Sequence, residues 1–153
     1  LALSEDVYSS RSVAAIGVAC HEAGHAIQHA RNYSPLWMRS ALVPVVGFGS
    51  NAASFLLMFG FILHLKPLLV LGIICFATIV LFQLVTLPVE FDASTRAKRL
   101  SVEAGIISDD ERYGVDSVLN AAALTYVASF ASGLLTLLYY MYRAGLIGGR
   151  RDE

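Results

Sequence analysis

The chain has 153 residues, 56% of them hydrophobic and 15% charged, with a mean hydropathy of +0.62 and a net charge of −1 at pH 7. So few charges argue against an ordinary water-soluble surface, where about a quarter of residues are charged. A near-neutral chain gives no footing for a nucleic-acid partner, and Cys20 and Cys75 supply no disulfide framework and read as small core residues.

Residues 1–11 are polar and read as irregular, or as an approach to the first long element. The chain starts with Leu1 rather than Met, so a segment ahead of it is expected to be missing. No proline occurs from Ser12 to Ser34, and the spacing predicts a helix over about 12–31, capped by Ser10 or Ser12. Within it lies His21-Glu22-Ala23-Gly24-His25. Histidines four positions apart share one helix face, and their ring nitrogens can meet one tetrahedral cation at about 2.0–2.1 Å. Glu22 is rotated about 100° from its neighbour, which sets its carboxylate beside such an ion. This is the H-E-x-x-H arrangement of zinc hydrolases, with the glutamate as general base. A solvated helix face carrying these residues by chance is the plainer reading. The largely apolar flanks weigh against it, because unpaired polar groups are costly to bury there. His29 continues the stripe, as a ligand, as a donor to a ligand, or as a polar residue at a membrane surface.

Asn32-Tyr33-Ser34-Pro35 ends that helix, and Trp37, Met38 and Arg39 look interfacial. Three stretches then carry no Asp, Glu, Lys or Arg: Ser40–Leu65, Pro67–Val89 and Ser117–Tyr142. Each exceeds the roughly 20 residues needed to cross a hydrocarbon core, and three in so short a chain make buried soluble helices a poor explanation. Spans are expected at about 41–63, 68–87 and 117–142, all helical because a helix satisfies its own backbone in lipid. Pro44, Gly47 and Gly49 suggest a kink or break early in the first span. Asn51 should face protein, for a helix–helix hydrogen bond or a substrate backbone. His64 to Pro67 makes a tight hairpin. At Pro88 the character changes, and residues 89–100 read as a polar helix leaving the membrane. Gly105 closes that helix, Ser108 to Glu111 begins a short one, and the chain ends from Gly148 in a flexible tail. The fold class is therefore all-α: an integral membrane helical bundle, one domain over 1–153, with a juxtamembrane zinc-site helix.

Two histidines leave a catalytic zinc site incomplete, since three protein ligands plus water are usual. A histidine six residues beyond His25 would serve, but that residue is Arg31. A distant carboxylate is needed. Glu90, at the mouth of the second span, is the best placed and Asp92 is its rival. The two point to different sides of a helix, so one can ligate while the other orients a histidine. An interfacial ion pair of either with Arg96, Lys98 or Arg99 is the plainer alternative. One zinc ion held by His21, His25 and Glu90 would activate water, with Glu22 taking the proton and returning it to the leaving amine. Asn51, His29, Tyr33 and Arg96 are candidate donors to the developing oxyanion. If all three runs span, Arg11, Arg31, Arg39, Arg96, Lys98, Arg99 and Arg112 share one side, against Lys66, Arg143, Arg150 and Arg151. Seven against four favours a cytoplasmic site.

The segments Ala19–Gln28, Gly49-Ser50-Asn51 and Leu87–Ser94 resemble the YugP-type membrane zinc metallopeptidases of bacteria, and the similarity covers nearly the whole chain. That resemblance implies a peptidase of the bacterial inner membrane, multi-pass, acting on peptides or membrane proteins. It also implies a further N-terminal membrane helix, absent here as a trimmed start would make it. More distantly the layout resembles HtpX and the CAAX prenyl proteases, which implies a gluzincin-like site with Glu90 as third ligand. The aspartate that follows in those families falls on Ser94, so its orienting role is expected to pass to Asp92 or to be missing. So short a chain is expected to borrow walls from a second copy in a homo-oligomer. Two other readings stand beside this one: an intramembrane-cleaving zinc protease, and a non-catalytic membrane scaffold or chaperone-like protein with a structural or vestigial metal site.

Overall fold

In the computed structural model of the protein, residues 2–148 are described. Five helices follow in order: α1 (Glu5–Ser9), α2 (Val13–Ala30), α3 (Ser34–Ile62), α4 (Lys66–Glu103) and α5 (Asp109–Arg143). The described residues contain no strand. Helices α3, α4 and α5 are long and apolar enough to cross a membrane. The described residues divide into two compact units, one of residues 2–37 with Thr86–Val127, the other of Met38–Val85 with residues 128–148.

The first unit carries the motif. Ser12 caps α2 by accepting from the Ala15 amide at 3.2 Å, which satisfies one of the donors every helix start leaves open. The other end closes where Asn32 turns left-handed (φ 51°) and the Tyr33 amide reaches back to the Gln28 carbonyl at 3.0 Å. Asparagine tolerates that conformation better than most residues. Along α2 the buried positions Gly17, Cys20, Gly24 and Gln28 form one stripe at helical spacing. On α4 a matching stripe of Val89, Glu90, Ala93 and Ala97 is almost fully buried. Cys20, Ala97, Ile107, Val115 and Leu119 pack into this unit's core, with Val13, Ile16 and Val102 against it. The Cys20 thiol is thus spent on packing.

The second unit has its own core of Leu57, Leu69, Ile73 and Ala144, packed by Phe61, Phe76 and Tyr140 among others. Its hairpin turns at His64 (φ 55°), with the Leu65 amide returning to the Gly60 carbonyl at 3.0 Å. Phe48, Phe55 and Leu135 lie outward and exposed, an arrangement suited to hydrocarbon rather than water as the surrounding medium.

Four local expectations are corrected. Residues 5–9 are helical, not irregular, because Ser4 caps them and Glu5 and Asp6 sit at the positive helix start. Pro44 does not break α3. Pro88 does not divide α4, which runs unbroken from the apolar stretch into the polar one. Pro88 is exposed while its neighbours Val89 and Glu90 are buried, so the ring stays outside and the packed stripe continues past it. The expected short helix after Ser108 and the third span are one element, α5. Ser108 caps it, its amide and hydroxyl both donating to Glu111 at 3.0 Å, and no proline follows. In α4 and α5 the change between apolar and charged sequence leaves the helical backbone uninterrupted. Past Gly148 the expected flexible tail lies outside the described residues.

Candidate metal centre

Helix α2 sets His21 and His25 one turn apart, their ring centroids at 4.7 Å and their planes nearly perpendicular. Helix α4 brings Glu90 to the same place. Glu90 Oε2 lies 3.1 Å from His21 Nε2 and 3.6 Å from His25 Nε2. Donor atoms of all three residues lie within 4.8 Å of one another. Glu90 is 2% exposed, and the histidines lie at the edge of the same burial. Two imidazole nitrogens and one carboxylate oxygen, converging and largely shielded, are the donor set of a catalytic zinc site that keeps a position open. The residues present therefore fit the metal.

The far side of each ring is also engaged. His21 Nδ1 meets the Ser94 hydroxyl at 3.2 Å. His25 Nδ1 meets Gln28 Oε1 at 2.9 Å. Gln28, fully buried, donates from Nε2 to the Val89 carbonyl and to Asp92 Oδ2, both at 2.8 Å. Arg96 in turn clasps Asp92, its Nε donating to Oδ2 at 2.6 Å and a terminal nitrogen to Oδ1 at 3.1 Å. Of the two rival carboxylates, Glu90 faces both Nε2 atoms while Asp92 faces Gln28 and Arg96.

Gly24 makes this approach possible. A Cβ there would lie 2.6 Å from the Ala93 carbonyl oxygen and 3.2 Å from the Ala93 Cα. The two backbones touch between His21 and His25 on one helix and beside Glu90 on the other.

The remaining predicted residues are placed as follows. Glu22 is exposed on α2, close enough for its charge to favour protonation of His25. His29 is exposed farther along α2. Tyr33 lies near Asp92 and Arg96; burial first, then the Asp92 charge, hold its phenol above the usual range. Asn51 belongs to the second unit and donates to the Gly47 carbonyl of its own helix at 2.9 Å. The residue-by-residue reading gave no role to Gln28 or Ser94. Gln28 follows His25 by three positions and Ser94 follows Glu90 by four, spacings that put each on its neighbour's face.

The hydrogen bond to Glu90 raises His25 above its ordinary value, burial opposes this, and Gln28 and the nearby carboxylates add to the rise. A raised histidine stabilises the metal-free fold below its unfolded value, near 6.5, and that contribution is lost as pH rises through the folded value. A metal must displace this proton, so the sign for binding is opposite. Zinc affinity is expected to weaken on acidification, by about tenfold per pH unit for each proton displaced. Calorimetric titrations in two buffers of different ionisation heat should register that proton release. An affinity flat from pH 5.5 to 7.5, an interval chosen as roughly one unit either side of an unperturbed imidazole, would contradict it.

Residues 1–145 match the family described as "Putative neutral zinc metallopeptidase". Over 139 residues the chain is 50% identical to "Putative membrane protease YugP" of Bacillus subtilis (strain 168). The alignment takes in 91% of this chain and 62% of the relative, so the chain spans about three fifths of that protein's length. No solved structure matches. The matched stretch contains both the paired histidines and the buried glutamate they face, and the chain belongs to this family of neutral zinc metallopeptidases.

Proposed function

We propose that the chain is a membrane-embedded zinc-dependent peptidase that hydrolyses peptide bonds in peptides or membrane proteins. The observation that carries this reading is the convergence of His21 Nε2 and His25 Nε2 on one oxygen of the buried Glu90. His21, His25 and Glu90 would hold one zinc ion. Zinc, when bound, supplies a Lewis acid for a scissile carbonyl and water acidic enough to lose a proton near neutrality. Ser94 and Gln28 hold the two imidazoles in place from behind. Glu22, exposed beside His25, takes the proton on its carboxylate and returns it to the leaving amine.

Two features favour a site at the membrane surface over one within the bilayer. Helix α2 is not among the helices apolar and long enough to cross, and Glu90 follows directly on the uncharged stretch that ends at Val89. The distribution of Lys and Arg supports the cytoplasmic face of a multi-pass inner-membrane protein.

The test is metal content and turnover of the purified chain in detergent. One zinc per chain is expected, lost on His21→Ala or Glu90→Ala, together with cleavage of an unstructured substrate such as casein. Full zinc loading with no turnover on any peptide would sink the peptidase reading and leave the scaffold reading standing. Zinc retained in both variants would move the metal elsewhere.

A further inference from the structure

We propose that Gln28 is a positioning residue that fixes the tautomer of His25 and ties that ring to the segment carrying Glu90; this rests on the zinc reading above. The Gln28 nitrogen faces two groups, the Val89 carbonyl and Asp92 Oδ2, each at 2.8 Å. A carbonyl only accepts, and Asp92, clasped by Arg96, is an ionised acceptor. The amide therefore has one orientation: NH2 toward α4, oxygen toward His25. Facing an acceptor at 2.9 Å, His25 Nδ1 must carry the ring proton. Once a metal has displaced the proton shared with Glu90, the neutral imidazole keeps only the one on Nδ1, so Nε2 offers its lone pair to the ion on the side where the Glu90 oxygen lies. Turned over, the amide would present N–H to Nδ1 and drive the proton onto Nε2, where it blocks ligation.

Ser94 cannot do this for His21, because a hydroxyl donates or accepts equally well. Only Gln28 encodes a direction, and Arg96 and Asp92 enforce it. At 0% exposure no water competes for the amide. The same side chain spans the two helices. It bonds the residue before Glu90 and the residue two after it, so the imidazole and the carboxylate are held by one amide.

The test uses the full chain in detergent, with zinc affinity read by competition against a chromophoric chelator. Gln28→Met keeps the length of the side chain and removes its hydrogen bonds. Zinc affinity should fall about 10–100-fold, as for other residues that orient a metal-binding histidine. Asp92→Ala should weaken binding in the parent chain and change nothing when Gln28→Met is already present, since it acts only through the amide. In cobalt(II)-loaded protein the His25 ring N–H should give a hyperfine-shifted proton signal that persists in water and broadens by exchange in Gln28→Met. Unchanged affinity in Gln28→Met, or additive losses in the pair, overturns the proposal. Should Gln28→Met fail to fold, Asp92→Ala alone decides, because that carboxylate is partly exposed; affinity within about twofold of the parent, well under the loss expected of an orienting partner, overturns it. His25→Ala separates the two layers. Zinc binding that survives His25→Ala removes the metal site itself, whereas binding lost there but intact in Gln28→Met removes only the relay.

Discussion

Glu22→Gln is expected to keep its zinc and to lose about 10²–10⁴-fold in peptide turnover, the usual worth of a positioned general base. Glutamine has the shape of glutamate but cannot take up a proton at neutral pH. Glu22 is exposed and lies outside the cluster of converging donors formed by His21, His25 and Glu90. Its replacement should therefore leave the fold and the metal stoichiometry within error, since exposed substitutions of this kind usually cost less than about 0.5 kcal/mol. The decisive measurement is kcat/KM beside zinc content and melting temperature for parent and variant. Loss of turnover with zinc intact assigns the base. Equal turnover removes Glu22 from the chemistry, and loss of zinc makes it a ligand or a structural residue instead.

Gly24→Ala is expected to do the reverse, damaging the metal site without touching any reacting group. The added methyl would sit 2.6 Å from the Ala93 carbonyl oxygen, closer than real contacts allow, and the obstacle is backbone rather than a side chain that can rotate away. The helices must separate, at a cost of about 1–3 kcal/mol for overpacking. Separation carries His21 and His25 away from Glu90, so zinc affinity should fall by roughly 5–150-fold if that whole cost is borne by the bound geometry. Gly17→Ala on the same helix is the control. Its methyl would meet Val115 and Val118 at an ordinary 3.8 Å, so it should be neutral, or stabilising by up to about 1 kcal/mol through helix propensity. Equal behaviour of the two variants would show that the close crossing at Gly24 does not set the site.

Much of this was legible in the sequence. The histidine pair could be read from spacing alone, because i and i+4 meet on any α-helix. Glu90 could be read as a carboxylate directly beyond an uncharged run, where solvation is poor and a partner is required. The three helices long and apolar enough to cross a membrane were visible as uncharged stretches. The ends of α4 and α5 were not, because hydropathy reports the medium around a helix and not the hydrogen bonds within it. Pro88 misled for a related reason. It costs a backbone hydrogen bond and crowds the carbonyl four residues back, about 3 kcal/mol, yet α4 continues through it into the buried stripe from Val89 to Ala97. Gln28 escaped notice because its role depends on α4 lying against α2, and no spacing within α2 reveals the acceptors at Val89 and Asp92.

Glu90 is a core residue as well as a candidate ligand, set between Val89 and Ala93 on the stripe that leads into the packing around Cys20 and Leu119. Occupancy and folding are then coupled by mass action. An ion bound only by the native form at a thousandfold excess over its dissociation constant adds about 4 kcal/mol to the stability of this unit. A chelator would withdraw that contribution and lower the unfolding temperature of the zinc-loaded chain.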